Sequence, residues 1–288
     1  MQDTSIHVHS FLSNDRDLIS LLSTSREFDR LKNKFLYEKK EYCFEETFVD
    51  LWYARNIKWI YFCKSMECLK QLPLFVTKVD FFGFVYHQLR VGDIPDHVTD
   101  IKLGAIDGPL LPGMLPKSTK NIGFDSRFNK PIRKGSIPFG TKKVLFDDIC
   151  VNPDQGSIPE TVRTVVIPFA MLAGPEFLPN SVKHLTLTKK TNIIPQRILI
   201  PSSVTHLCVD CDIPTFSIPT SVTHLYITSG FTGTINELNI PPTVKHLILS
   251  NRYHKYNKKN QIPVTLKSIT LHKCVCLNLP HIPKIRFY

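Results

Sequence analysis

Four histidines, His184, His206, His224 and His246, stand 22, 18 and 22 residues apart. Imidazole titrates near neutrality and is a common metal ligand, so a regular row of it is the first place to look for chemistry. As a zinc site the row is poor. Each histidine occupies the same place in a repeated unit, which gives a flat ladder on one sheet face rather than a tetrahedron, and no acidic residue recurs beside it. The expectation is a stacked, mostly neutral row whose like charges, with Lys183 and Lys245 nearby, oppose protonation. Two cysteine pairs, Cys208-x-x-Cys211 and Cys274-x-Cys276, invite a zinc or redox reading. They lie three units apart, about 14 Å at one strand spacing per unit, too far to share an ion. Packing roles are expected for them, and no metal or cofactor.

The sequence contains no nucleotide-binding glycine loop, nucleophile elbow or metalloprotease helix. Acidic residues stop at Glu237, so the part of the C-terminal third beyond that point offers only histidines as general bases. No catalytic residue is assigned, and the chain is expected not to be an enzyme. The same third carries a basic patch of Lys245, Arg252, Lys255, Lys258, Lys259 and Lys267. Three readings stand for it: a solvated face, a surface for an acidic protein, or a phosphate-binding surface. Arg252 to Lys259 interleaves aromatic and basic residues as a single-strand binder would, but in one loop only, and nucleic acid is the least favoured partner.

What positions these residues is a repeat. A proline preceded by an apolar residue recurs at 73, 95, 116, 138, 159, 179, 201, 219, 241 and 263, ten copies of a unit averaging about 21 residues. Apolar or threonine side chains follow three, six and eight positions later, as in Val182, Leu185 and Leu187. The last two alternate with polar residues, the pattern of a short strand with one buried face. Three such side chains contribute about 1.5–3 kcal/mol each, while ordering one residue's backbone costs about 1–2 kcal/mol. A lone unit therefore cannot hold its shape, and the units must stack into a right-handed solenoid with a parallel sheet.

Composition agrees with a folded protein: 42% hydrophobic and 21% charged, with 21 prolines against 12 glycines. No run reaches the roughly 20 apolar residues of a membrane helix, and the cysteines are too sparse for a disulfide framework. A monomer in the reducing cytoplasm is expected. The first 70 residues lack the repeat and balance their charges, so the whole net charge of +11 falls within the solenoid. Asn14 and Thr24 can cap helices that carry Leu18, Leu21 and Leu22, then Phe28, Leu31 and Phe35. The fold class is thus α+β, with a helical segment at 1–45, a helical linker or cap at 46–70 and the solenoid at 71–288.

The strand spacing resembles that of leucine-rich repeats. Phe128-Asn129 followed by Ile137-Pro138 resembles the FNIP repeat, which is characteristic of social amoebae and of giant DNA viruses that infect amoebae. The Ile-Pro half persists throughout, whereas the Phe-Asn half is eroded elsewhere, for example to Leu238-Asn239. Residues 10–28, with Phe11, Leu12, Asp17, Leu18, Leu21, Leu22 and Phe28, resemble the core of an F-box, although the usual opening Leu-Pro is missing before Ile6. That order of parts implies an adaptor for a target protein. The F-box would dock on a Skp-type adaptor of a cullin ubiquitin ligase, in a host cytoplasm if the source is viral, and the solenoid would hold the target on the His184 to His246 face. A plain helical cap serves as well, because the first coil would otherwise expose its apolar edge. The alternatives are accordingly a protein-binding scaffold without the ligase link, and nucleic-acid binding by the basic end.

Overall fold

The computed structural model describes residues 59–61, 69, 72, 74, 76–81, 84–147, 153–173, 177–188, 200–211, 217–228, 230–231, 239–249, 262–271 and 283–287. The F-box-like segment with Phe11, Leu12, Asp17, Leu18, Leu21, Leu22 and Phe28 lies outside the described residues. Within them runs one twelve-stranded sheet, every neighbouring pair parallel. Its strands are β1 (Trp59–Tyr61), β2 (Lys78–Asp80), β4 (Asp100–Leu103), β6 (Asn121–Phe124), β7 (Lys143–Phe146) and β8 (Thr164–Pro168). They continue as β9 (His184–Thr188), β10 (His206–Asp210), β11 (His224–Ile227), β12 (His246–Leu249), β13 (Ser268–Leu271) and β14 (Ile285–Phe287). A side pair, β3 (Phe84–Gln88) with β5 (Ala105–Asp107), forms a separate two-stranded sheet.

Each of the ten proline units contributes one strand to the large sheet. The residues three, six and eight positions after every proline, from Val76, Val79 and Phe81 to Leu266, Ile269 and Leu271, are all at most 3% exposed. Two of the thirty are polar. Thr119 and Thr141 are tolerated there because each hydroxyl donates to the carbonyl of its own unit's proline, at 2.7 and 2.8 Å.

The proline opens a turn. In the nine units from Pro95 onward its carbonyl accepts the N–H of the residue three on, at 3.0–3.2 Å, as from Val182 to Pro179. Its missing N–H falls where no strand partner needs one. The next carbonyl along, four after the proline, accepts two N–H groups from the following coil: Lys183 and His184 both donate to Arg163 oxygen, at 2.9 and 3.0 Å. This doubled bond recurs coil after coil and fixes the register in which equivalent residues stack.

Two further features explain the repeat's other half. Phe128 is fully buried and packs on Phe124 with centroids 4.7 Å apart, so the phenylalanine of Phe128-Asn129 fills the solenoid interior. Gly92, Gly113, Gly135 and Gly156, each three before a proline, turn the chain at φ of 76–84°, which glycine adopts without strain.

The stretch 46–70, expected as a helical linker or cap, holds β1, whose Ile60 pairs with Val79 of β2. The sheet therefore starts upstream of residue 71. Trp-Ile-Tyr has the aromatic and β-branched character of a strand, but without a proline marker it escapes the repeat template.

Candidate protein-binding face

Residues five and seven after each proline point away from the core. The first row runs in register through Lys78, Asp100, Asn121, Lys143, Thr164, His184, His206, His224, His246 and Ser268. The histidine ladder is therefore real in this fold. Its ring centroids lie 4.2, 4.1 and 4.4 Å apart with interplanar angles of 27°, 9° and 21°, a continuous stack on the solvent side of β9 to β12.

The ladder's ring nitrogens are tethered. Nδ1 of His206 and of His224 each share a hydrogen bond with the preceding threonine hydroxyl, Thr205 or Thr223, at 2.9 Å, and Nδ1 of His246 shares one with Ser268 Oγ at 2.7 Å. These bonds orient the rings edge-outward and help hold the stack. The pKa values of His206 and His224 are held below the usual histidine value, first by burial in the stack and then by the neighbouring imidazoles. That order of causes corrects the expectation from sequence, which gave like-charge repulsion the leading part.

The second row carries Thr186, Cys208, Tyr226 and Ile248 across β9 to β12. Tyr226 and Ile248, paired across β11 and β12, are each 38% exposed and so place two large apolar side chains side by side on this face. Between the rows lies a shallow depression of about 230 Å³ lined by the four histidines with Thr186, Cys208, Tyr226 and Ile248. Further up the same sheet face, a second depression of about 420 Å³ opens where Gly123 leaves a gap in this row, between Lys102 and Leu145. Its rim is charged: Lys102 lies 3.9 Å from Asp80, and Asn121 donates to Asp100 at 2.7 Å.

Cys208 and Cys211 point to opposite sides. Cys208 lies half-buried on the solvent face with its thiol pushed up to about 11 by burial and by Asp210, whereas Cys211 is fully buried in the core. They do not form a paired site, and Cys274 and Cys276 lie outside the described residues. Among the described residues no three His, Cys, Asp or Glu side chains converge as metal ligands.

Of the basic patch, Lys245 is half-buried beside the ladder and Lys267 is exposed one coil on, while Arg252, Lys255, Lys258 and Lys259 lie outside the described residues. Sequence reading missed the larger cationic feature. Lys120, Lys142, Arg163 and Lys183 hold the position four after the proline in four successive units, all exposed, along the upstream edge of the sheet. Reading charge at fixed offsets from the proline, rather than by segment, reveals them.

Two stretches of the chain, residues 107–148 and 234–274, match the family described as FNIP Repeat. The first match encloses Phe128-Asn129 and Ile137-Pro138. The second spans Leu238-Asn239 and Ile262-Pro263, and Asn239 there is the non-glycine residue at positive φ, 43°, among the described residues. No curated protein matches the chain. Among solved structures, the crystal structure of CroV588, described as a novel circular LRR protein, is similar over 81% of this chain and 50% of that one, at 15% identity and a TM-score of 0.38. The chain thus spans half the length of that neighbour.

Proposed function

We propose that this protein is a non-enzymatic recognition subunit that captures a target protein on the ladder face of its solenoid and presents it to a cullin-type ubiquitin ligase. The exposed pair Tyr226 and Ile248 beside the stacked histidines carries the reading. A repeat face of this kind offers a large rigid surface whose side chains are ordered before binding, so little entropy is lost on capture. Half-exposed aromatic and aliphatic groups within a polar surround are what protein interfaces use as anchors. The ligase half of the proposal rests on the F-box-like residues Phe11, Leu12, Asp17, Leu18 and Phe28 ahead of the repeats. Cytoplasmic action as a monomer belongs to the same reading. Among the described residues no helix is long and apolar enough to cross a membrane.

The test is a pair of affinity purifications from amoebal lysate with the full-length chain. Tyr226→Glu with Ile248→Lys should lose the target and retain Skp-type and cullin subunits, whereas deletion of residues 1–45 should do the opposite. Loss of neither would refute both halves. Retention of ligase subunits after the deletion would leave only the scaffold.

A further inference from the structure

The upstream edge and the ladder together form one electropositive strip with a gap. Four successive coils place Lys120, Lys142, Arg163 and Lys183 at the edge, and the coils of β12 and β13 place Lys245 and Lys267 there. Between them the two intervening coils carry Thr205 and Thr223, which are uncharged. In those same coils the adjacent face residues are His206 and His224, each bonded through Nδ1 to that threonine, so the gap in fixed charge is filled by two titratable rings. The other groups facing them are His184 and His246 on either side, Lys183 and Lys245 at the edge, and Cys208 and Tyr226 in the second row. The only carboxylate on β9 to β12 is Asp210, at the far end of its strand, where it accepts from the Thr228 hydroxyl.

The geometry also selects the kind of anion. Single-stranded nucleic acid is gripped by ring faces on which bases stack. Here the imidazole faces cover one another at 4.1–4.4 Å, and only their edges reach outward. Edges that carry N–H groups suit carboxylates, and Tyr226 and Ile248 alongside suit apolar side chains.

Resting on the recognition role above, we infer that the bound segment is an acidic polypeptide with interspersed apolar residues. It lies along the solenoid axis, its carboxylates engaging Lys183 and Lys245 and, on protonation, His206 and His224 between them. Protonation is disfavoured in the free protein by burial and by neighbouring rings, and carboxylates laid over the stack reverse that balance. Binding therefore takes up protons and tightens as pH falls.

The probe is a fluorescein-labelled peptide of alternating glutamate and leucine, long enough to span five coils at about 4.8 Å each. Its glutamine–leucine counterpart and a single-stranded oligothymidylate serve as comparisons, and all are read by anisotropy against the full-length chain at low salt. The acidic peptide should bind more tightly at pH 6.0 than at pH 7.5, by up to about tenfold per pH unit for each proton taken up. His206→Gln with His224→Gln should abolish the tightening between pH 7.5 and pH 6.0, whereas Lys183→Gln with Lys245→Gln should weaken binding at both pH values. Equal binding of the glutamine peptide, tighter binding of oligothymidylate, or tightening that survives the histidine replacements would overturn the inference. A target captured through Tyr226 and Ile248 with affinity unchanged between the two pH values would leave the recognition role standing and remove the acidic-segment inference alone.

Discussion

The rings of His206 and His224 stack at 4.1 Å between centroids and within 9° of parallel, although 18 residues separate them where neighbouring pairs are separated by 22. The shorter coil keeps register because its proline moves with its strand, so the stack is set by the doubled hydrogen bond at each turn and not by coil length.

That stack makes stability depend on pH. Folded His206 and His224 have lowered pKa values, so below about pH 6.5 the unfolded chain binds more protons than the folded one. Stability contributed by the neutral stack is intact above that pH and declines as pH falls below it. Exposure and salt keep the effect small. In low-salt melts between pH 7 and pH 5, His206→Gln with His224→Gln should flatten the loss of Tm. A parallel decline in wild type and variant would show that the stack carries no such linkage.

Leu225 and Tyr226 are adjacent in sequence and opposite in environment. Leu225 is 1% exposed between Leu207 and Leu247, whereas Tyr226 faces solvent. Leu225→Asp buries an unpaired carboxylate between coils and should destabilise by about 4 kcal/mol or more. Tyr226→Asp should change stability by only about 0.5 kcal/mol. Urea unfolding of the pair tests the register directly, and similar midpoints would contradict it.

Gly104 is a glycine because nothing larger fits. A Cβ there would stand 2.5 Å from the carbonyl oxygen of Phe81 in the preceding coil, and backbone cannot swing aside as a side chain can. Gly104→Ala should cost about 1–3 kcal/mol. At Gly92 a Cβ meets nothing, so Gly92→Ala should cost less and only through its φ of 84°. Comparing the two melts separates close packing from backbone strain, and a larger loss at Gly92 would reverse the assignment.

The sequence carried the solenoid's register because each unit repeats its own marker: the proline, then the buried positions three, six and eight residues on. His184 to His246 could be placed on one face for the same reason. What stayed hidden depends on contacts between coils. β1 lacks a proline and becomes a strand by pairing Ile60 with Val79, and β3 and β5 pair beside the main sheet with a shifted register. The lysines from Lys120 to Lys183 look scattered along the chain and align only when coils are stacked. The leading part of burial in the histidine shifts likewise requires the stacked rings.

Cys208 offers the last test, because its environment argues against the reactivity its Cys-x-x-Cys context suggests. Burial against Thr186 and Tyr226 and the nearby Asp210 carboxylate push its thiol up to about 11, only partly offset by a hydrogen bond with Thr186. Thiolate is the reacting species, so at neutral pH Cys208 holds about a hundredfold less of it than an ordinary thiol with a pKa near 9. Alkylation of the folded protein by iodoacetamide, followed residue by residue by mass spectrometry, should be correspondingly slow at pH 7.5 and should still be accelerating at pH 10. Asp210→Asn removes one cause and leaves burial, so it should raise the rate without restoring that of a free thiol. Labelling of wild-type Cys208 at the speed of a free thiol at pH 7.5 would show that this part of the face is open to solvent, and the depression between the two rows would then not be formed as described.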